Sequence, residues 1–116
     1  MKAIMLGTGH AVVTNCYNTC YVLEENGKQL LVDGGGGIGL LRQMKQAGVR
    51  WQDIHEIFVT HRHLDHITGI FWMMRMLCSA MASGRYQDEV HLYAHDEVTH
   101  ILKEMAGILL PETCHV

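Results

Sequence analysis

The sequence predicts an α+β chain built on a mixed β-sheet with helices packed on one face. Three observations predict it. Strand-like runs come first and close together. Asn26-Gly27, a strong hairpin signal, joins two of them. Beyond the glycine run Gly34 to Gly37, helical and strand-like segments alternate.

In chain order, Ala3 to Leu6 reads as a first strand, ended by Gly7-Thr8-Gly9. Asn18 to Leu23 reads as a second, with Glu24-Glu25-Asn26-Gly27 as its turn. Lys28 to Val32 returns as a third, and its apolar run Leu30-Leu31-Val32 suggests burial on both faces. Ile38 to Ala47 has helical spacing, with Leu40, Leu41, Met44 and Ala47 on one side and Gly48 as a stop. Asp53 to Glu56 leads into a strand over Ile57 to Thr60. Gly69 to Ala82 reads as a methionine-rich helix ended by Ser83-Gly84, and Val90 to Ala94 as a last strand. Asp96 is the expected cap of a final helix running to about Met105 and closed by Gly107. No internal repeat, low-complexity segment or linker interrupts the chain.

At 116 residues the chain is one domain or part of one. Hydrophobic residues at 48% and charged residues at 18% suit a packed core rather than a disordered tail. A net charge of −3 gives no electrostatic case for broad nucleic-acid binding. Cys16, Cys20, Cys78 and Cys114 form no C-x-x-C pair, which argues against a zinc ribbon or a thioredoxin-like motif. They read as free thiols in a reducing compartment. The start is too short and too soon broken for a signal peptide, and the apolar stretch Ile67 to Met74 stops at Arg75. A soluble cytoplasmic protein is the expectation.

The nine histidines raise the prior for a metal site. They concentrate in His61-Arg62-His63-Leu64-Asp65-His66, directly after a predicted strand, where α/β proteins commonly place ligands. In an extended or tightly turned segment His61 and His63 can point to one side and grip one Zn²⁺. Asp65 and His66 alternate differently and can serve a second ion, the carboxylate adding a hard oxygen that suits Zn, Fe or Mn. Two ions about 3.5–4 Å apart can share a hydroxide and clamp a phosphate or carbonyl. The plainer alternative is a polar loop that gathered histidines by chance. It fits a single histidine better than this cluster between an apolar strand and a helix.

Thr60-His61-Arg62-His63-Leu64-Asp65-His66 resembles the hallmark motif of the metallo-β-lactamase superfamily. Leu6-Gly7-Thr8-Gly9 resembles the opening of its ribonuclease Z-like branch, Leu31-Val32-Asp33-Gly34-Gly35 its strand-end aspartate motif, and Ile67-Thr68-Gly69 the usual continuation. The resemblance covers about residues 1–110. It implies the N-terminal half of a four-layer αββα sandwich, so that residues 1–116 form a single partial domain. It implies that His61 and His63 bind a first metal, that Asp65 and His66 bind a second, and that Asp33 orients the loop from beneath. Asp65 is also the expected catalytic group, holding the attacking hydroxide or taking a proton. The implied cofactor is zinc, two ions in the complete site, with manganese or iron as alternatives. The implied activity is attack by a metal-bound hydroxide on a phosphodiester, RNA or a cyclic nucleotide, or on another ester.

The family's later ligands have no counterpart here; His115 reads as a tail residue. The sheet should therefore offer an apolar face that a second copy or a second chain covers, giving a homo-oligomer or a completed pair. A catalytically inactive half-domain that mainly oligomerises and binds metal incompletely is the competing reading. Elsewhere, His10, His91, His95 and His100 read as surface or capping residues, and Phe71 to Leu77 as core packing.

Overall fold

The computed structural model describes residues 1–111. Cys114 and His115, with the expectations attached to them, lie outside the described residues. Five strands form one sheet in the order β1 (Lys2–Gly7), β2 (Cys20–Glu25), β3 (Lys28–Val32), β4 (Glu56–Phe58) and β5 (His91–Tyr93). The first three pair antiparallel, and β3, β4 and β5 pair parallel, so the sheet is mixed as expected. Three helices, α1 (Gly39–Ala47), α2 (Leu64–Ala82) and α3 (Asp96–Leu109), make the remaining layer.

Local chemistry accounts for most boundaries. Asn26 and Gly27 both have positive φ, 54° and 78°, giving the primed turn whose twist suits a two-residue hairpin. Gly48 adopts the left-handed conformation at the end of α1, and its N–H returns to the last carbonyls. Two helix ends depart from expectation. α2 starts at Leu64, not Gly69, because its buried series Ile67, Ile70, Met73, Met74 and Leu77 carries the helical period back past Gly69. The polar first turn hid this start, although Asp65 there suits the helix dipole. α3 runs through Gly107 to Leu109 and stops before Pro111; its cap is His95, whose Nδ1 accepts from the Glu97 N–H, rather than Asp96. β4 is also short, ending at Phe58, and a single 3-10 turn at Trp51–Asp53 precedes it.

Register separates the two faces of the sheet. Ile4, Val22, Leu31, Ile57 and Leu92 form one cross-strand row. Val22, Leu31 and Ile57 in it are fully buried, packed with Leu40 and Met44 of α1, Ile70, Met73 and Leu77 of α2, and Val98 and Leu102 of α3. In the methionine-rich stretch Met73, Met74 and Leu77 are core packing, whereas Trp72 and Arg75 are exposed. The adjacent row points the opposite way: Met5, Tyr21, Val32, Phe58 and Tyr93. Among the described residues no helix packs along it: Val32 is buried, but Met5, Phe58 and Tyr93 stay 50%, 41% and 49% exposed. The expectation that β3 is buried on both faces holds only near its end: Leu31 and Val32 are buried, whereas Leu30 is half-buried.

The cysteines divide. Cys16 is exposed and free, Cys20 is fully buried and free, and Cys78 is disulfide-bonded. The expectation of free thiols fails at Cys78. No helix among the described residues is long and apolar enough to cross a membrane. Burial, with the neighbouring Asp33 carboxylate as the lesser cause, pushes the Cys20 thiol up to about 12, so it stays neutral and unreactive. Alkylation of the native protein at pH 8 is expected to modify Cys16 and to reach Cys20 only after unfolding. Equal labelling of the two in a mass-spectrometric time course would contradict this burial.

Candidate metal centre

The parallel pairing places the site. Val32 and Phe58 are register partners at the carboxyl ends of β3 and β4. One residue beyond Val32 stands Asp33; two and three beyond Phe58 stand Thr60 and His61. The Asp33 N–H donates to the Phe58 carbonyl at 2.9 Å, and the Val59 N–H to that of Tyr93 at 3.0 Å, so the ladder continues to the edge of the site.

Asp33 is the buried charged residue of the core, 4% exposed, with a left-handed φ of 62°. Its carboxylate ties three groups together. Oδ1 accepts from the Thr60 N–H at 2.8 Å. Oδ2 accepts from the Thr60 hydroxyl at 2.7 Å and lies 2.7 Å from Nδ1 of His66. The Thr60 oxygen also lies 2.9 Å from Nδ1 of His61. The hydroxyl has one proton and gives it to Asp33, so the proton of the second contact belongs to His61 Nδ1. By the same reasoning, a carboxylate oxygen facing His66 assigns the proton to its Nδ1. One carboxylate, directly and through one hydroxyl, thus orients both imidazoles by their Nδ1 atoms, leaving their Nε2 edges turned to the cluster, where that of His66 faces Asp65.

The expected residues come together in part. The rings of His61 and His66 are 3.9 Å apart between centroids, and those of His61 and His63 are 4.8 Å apart, edge to face. His66 Nε2 and Asp65 Oδ2 are 3.2 Å apart. The set whose donor atoms all lie within 4.8 Å of one another is Asp33, His61 and His66, rather than the four-residue set His61, His63, Asp65 and His66. Both oxygens of Asp33 are already engaged with Thr60 and His66. Three imidazoles and the Asp65 carboxylate on six residues of chain are a donor set that fits a borderline divalent ion such as zinc.

The start of α2 decides this geometry. His63 is its N-cap with extended backbone, and Asp65 and His66 occupy its first turn. Arg62, between the histidines, points away and pairs with Glu97 on α3. The outlying histidines stay outside the cluster: His10 is exposed, His95 caps α3, and His91 and His100 face Glu89 and Glu104. Sequence reasoning missed the hydroxyl of Thr60, which stands inside the quoted motif. It also missed Tyr17 and Asn18, which hold the glycine turn beneath Asp33. A hydroxyl immediately before the first histidine was the available signal for Thr60; no local pattern marks Tyr17.

Strand order, helix placement and the strand-end aspartate facing a histidine loop define the class, a chain with the N-terminal part of the metallo-β-lactamase fold and ribonuclease Z-like motifs. The metallo-β-lactamase-fold protein YhfI of Bacillus subtilis superposes with a TM-score of 0.74 at 20% identity, over 96% of this chain and 43% of that one. Human tRNase Z, short form, gives 0.68 at 24% identity, over 90% and 39%. Ribonuclease Z of Parasynechococcus marenigrum is 33% identical over 106 residues, 89% of this chain and 32% of that protein. Within that class the chain belongs to the anti-Pycsar protein Apyc1 family, whose model matches residues 1–109. The Apyc1 protein of Paenibacillus xerothermodurans is 39% identical over 66 residues, 57% of this chain and 26% of that protein. The chain spans no more than about a third of the length of these curated relatives.

Replacing Asp33 with alanine strands the Thr60 amide and hydroxyl and His66 Nδ1 together, and leaves a non-glycine residue at positive φ. Asp33→Ala is expected to destabilise the fold by about 3 kcal/mol in urea unfolding. A wild-type midpoint would contradict the role given to this carboxylate.

Proposed function

We propose that this chain carries the first metal-binding loop of a metal-dependent hydrolase that cleaves phosphodiesters, RNA or cyclic nucleotides, or a related ester. The observation that carries this reading is the pair of imidazoles oriented through Nδ1 by one buried carboxylate, directly and through Thr60. His61 and His63 hold a first ion, and Asp65 and His66 a second. Asp33 orients His66 directly and His61 through Thr60. Zinc is the proposed metal, with manganese or iron as alternatives. Bound divalent ions supply Lewis acidity and a lowered water pKa at such a centre. Asp65 presents Oδ2 at the edge of the cluster, where it orients water or accepts its proton. Relatives named ribonuclease Z support the RNA arm of the proposal.

The uncovered row Met5, Phe58 and Tyr93 supports the further proposal that a second copy or a second chain covers the sheet and brings the remaining ligands. Covering these side chains yields about 1 kcal/mol each, a contribution that a partner's own contacts would have to extend to outweigh the entropy lost on association. The same exposed row favours the second reading, an inactive half-domain whose main property is self-association.

Two measurements separate them. The hydrolase reading expects about two zinc ions per subunit by elemental analysis. It also expects turnover of bis-p-nitrophenyl phosphate that falls at least about 100-fold in His63→Ala. Cyclic nucleotides and a tRNA 3′ trailer, assayed side by side, then choose the substrate. A metal-free, inert protein would overturn the hydrolase reading for this chain. Sedimentation velocity is expected to find a dimer or larger species, shifted toward monomer by Phe58→Lys; a wild-type monomer at tens of micromolar would remove the covering partner from the proposal.

A further inference from the structure

We propose that Tyr17 is a positioning residue for the histidine loop: its hydroxyl bolts the glycine turn 34–37 against the first turns of α2 and so fixes where His66 stands. Tyr17 lies in the long connection between β1 and β2, anchored there by the Gly9 N–H, which donates to its carbonyl at 2.8 Å. Its hydroxyl is 2.6 Å from the Gly34 carbonyl and 2.8 Å from that of Gly37, and it accepts from the Gly37 N–H at 3.3 Å. Asn18 beside it accepts from the Gly36 N–H at 3.0 Å. The ring fills the space that side chains at two glycines would need: a Cβ on Gly35 would come within 2.2 Å of it, and one on Gly39 within 2.7 Å. Gly35 and Gly39 therefore leave room for the Tyr17 ring.

The other side of the same turn carries α2. The Gly34 N–H donates to the His66 carbonyl at 2.9 Å, and the Gly69 N–H to the Gly35 carbonyl at 2.9 Å. A Cβ on Gly34 would lie 2.6 Å from the Ile70 nitrogen, and one on Gly69 would lie 1.9 Å from the Gly34 oxygen. Gly34 is thus gripped from both sides. Asp33, the partner of His66 Nδ1, is its chain neighbour. Consecutive glycines have the greatest backbone freedom of any residues, so this turn holds one shape only if something outside it imposes that shape. Tyr17 supplies that restraint, and a shift of the turn moves the carboxylate and backbone partners of His66 together. Burial pushes the Tyr17 hydroxyl up to about 12, which keeps it a donor throughout the neutral range.

The metal readout of this inference rests on the proposed metal centre, whereas its backbone readout does not. The test compares Tyr17→Phe with Tyr86→Phe in the 116-residue chain. Both substitutions keep the ring. Tyr86→Phe removes a similar hydroxyl-to-carbonyl bond, 3.1 Å to Ile54, ahead of β4 and outside the loop His61 to His66. Zinc affinity is read by chelator competition, ligand geometry by the visible spectrum of the cobalt form, and the turn by amide hydrogen exchange at Gly34 and Gly69. Tyr17→Phe is expected to weaken zinc binding about tenfold, to alter the cobalt spectrum, and to speed exchange at both glycines, while Tyr86→Phe leaves all three near wild type. Unchanged exchange at Gly34 and Gly69 in Tyr17→Phe, or equal changes in the two variants, would overturn the proposal. If the wild-type chain takes up no zinc, the metal centre fails, and the exchange rates alone decide the role of Tyr17.

Discussion

One buried carboxylate organises this structure. Asp33 sits where water is excluded, and an unsatisfied charge there costs several kcal/mol. It is satisfied only when the end of β3, the segment after β4 and the first turn of α2 meet at one point, because its partners are the Thr60 amide, the Thr60 hydroxyl and His66 Nδ1. The bonds that keep this charge stable also orient two imidazoles. Stability and site geometry are therefore the same set of contacts.

Close backbone approach makes that meeting possible. Gly34 and Gly69 bring the turn after β3 against α2 at distances no side chain would allow. On the opposite side the turn receives the ring of Tyr17 and the amide of Asn18. The glycines provide contact on two sides but no rigidity of their own. Rigidity comes from the polar groups that pin them. The buried, neutral thiol of Cys20 lies near Asp33 and adds packing without competing for its hydrogen bonds.

The sheet shows a second economy of design. Its helix-facing row is closed, and its opposite row leaves Met5, Phe58 and Tyr93 half in water. Such a surface suits a further layer, and the histidine loop at the strand ends lies at the rim where that layer would meet it. The chain spans no more than about a third of the length of its curated relatives.

Local chemistry made much of this legible from the sequence. Asn26-Gly27 set the hairpin because two consecutive positive φ angles suit few other pairs. Alternation and helical spacing gave the mixed sheet and its helical layer, and the motif around His61 and His66 marked where side chains gather. Helix starts and stops were less legible. The polar first turn of α2 concealed five residues of helix, and Gly107 is accommodated inside α3. Tertiary structure alone decided which donors converge, that Thr60 relays Asp33 to His61, and that Tyr17 presses on the glycine turn 17 residues away. It also decided that Cys78 is not a free thiol. The division has a physical cause. Backbone preference and burial period act between near neighbours, so the sequence displays them directly. A hydrogen bond to a buried carboxylate depends on distant segments arriving together, and no local pattern encodes that arrival.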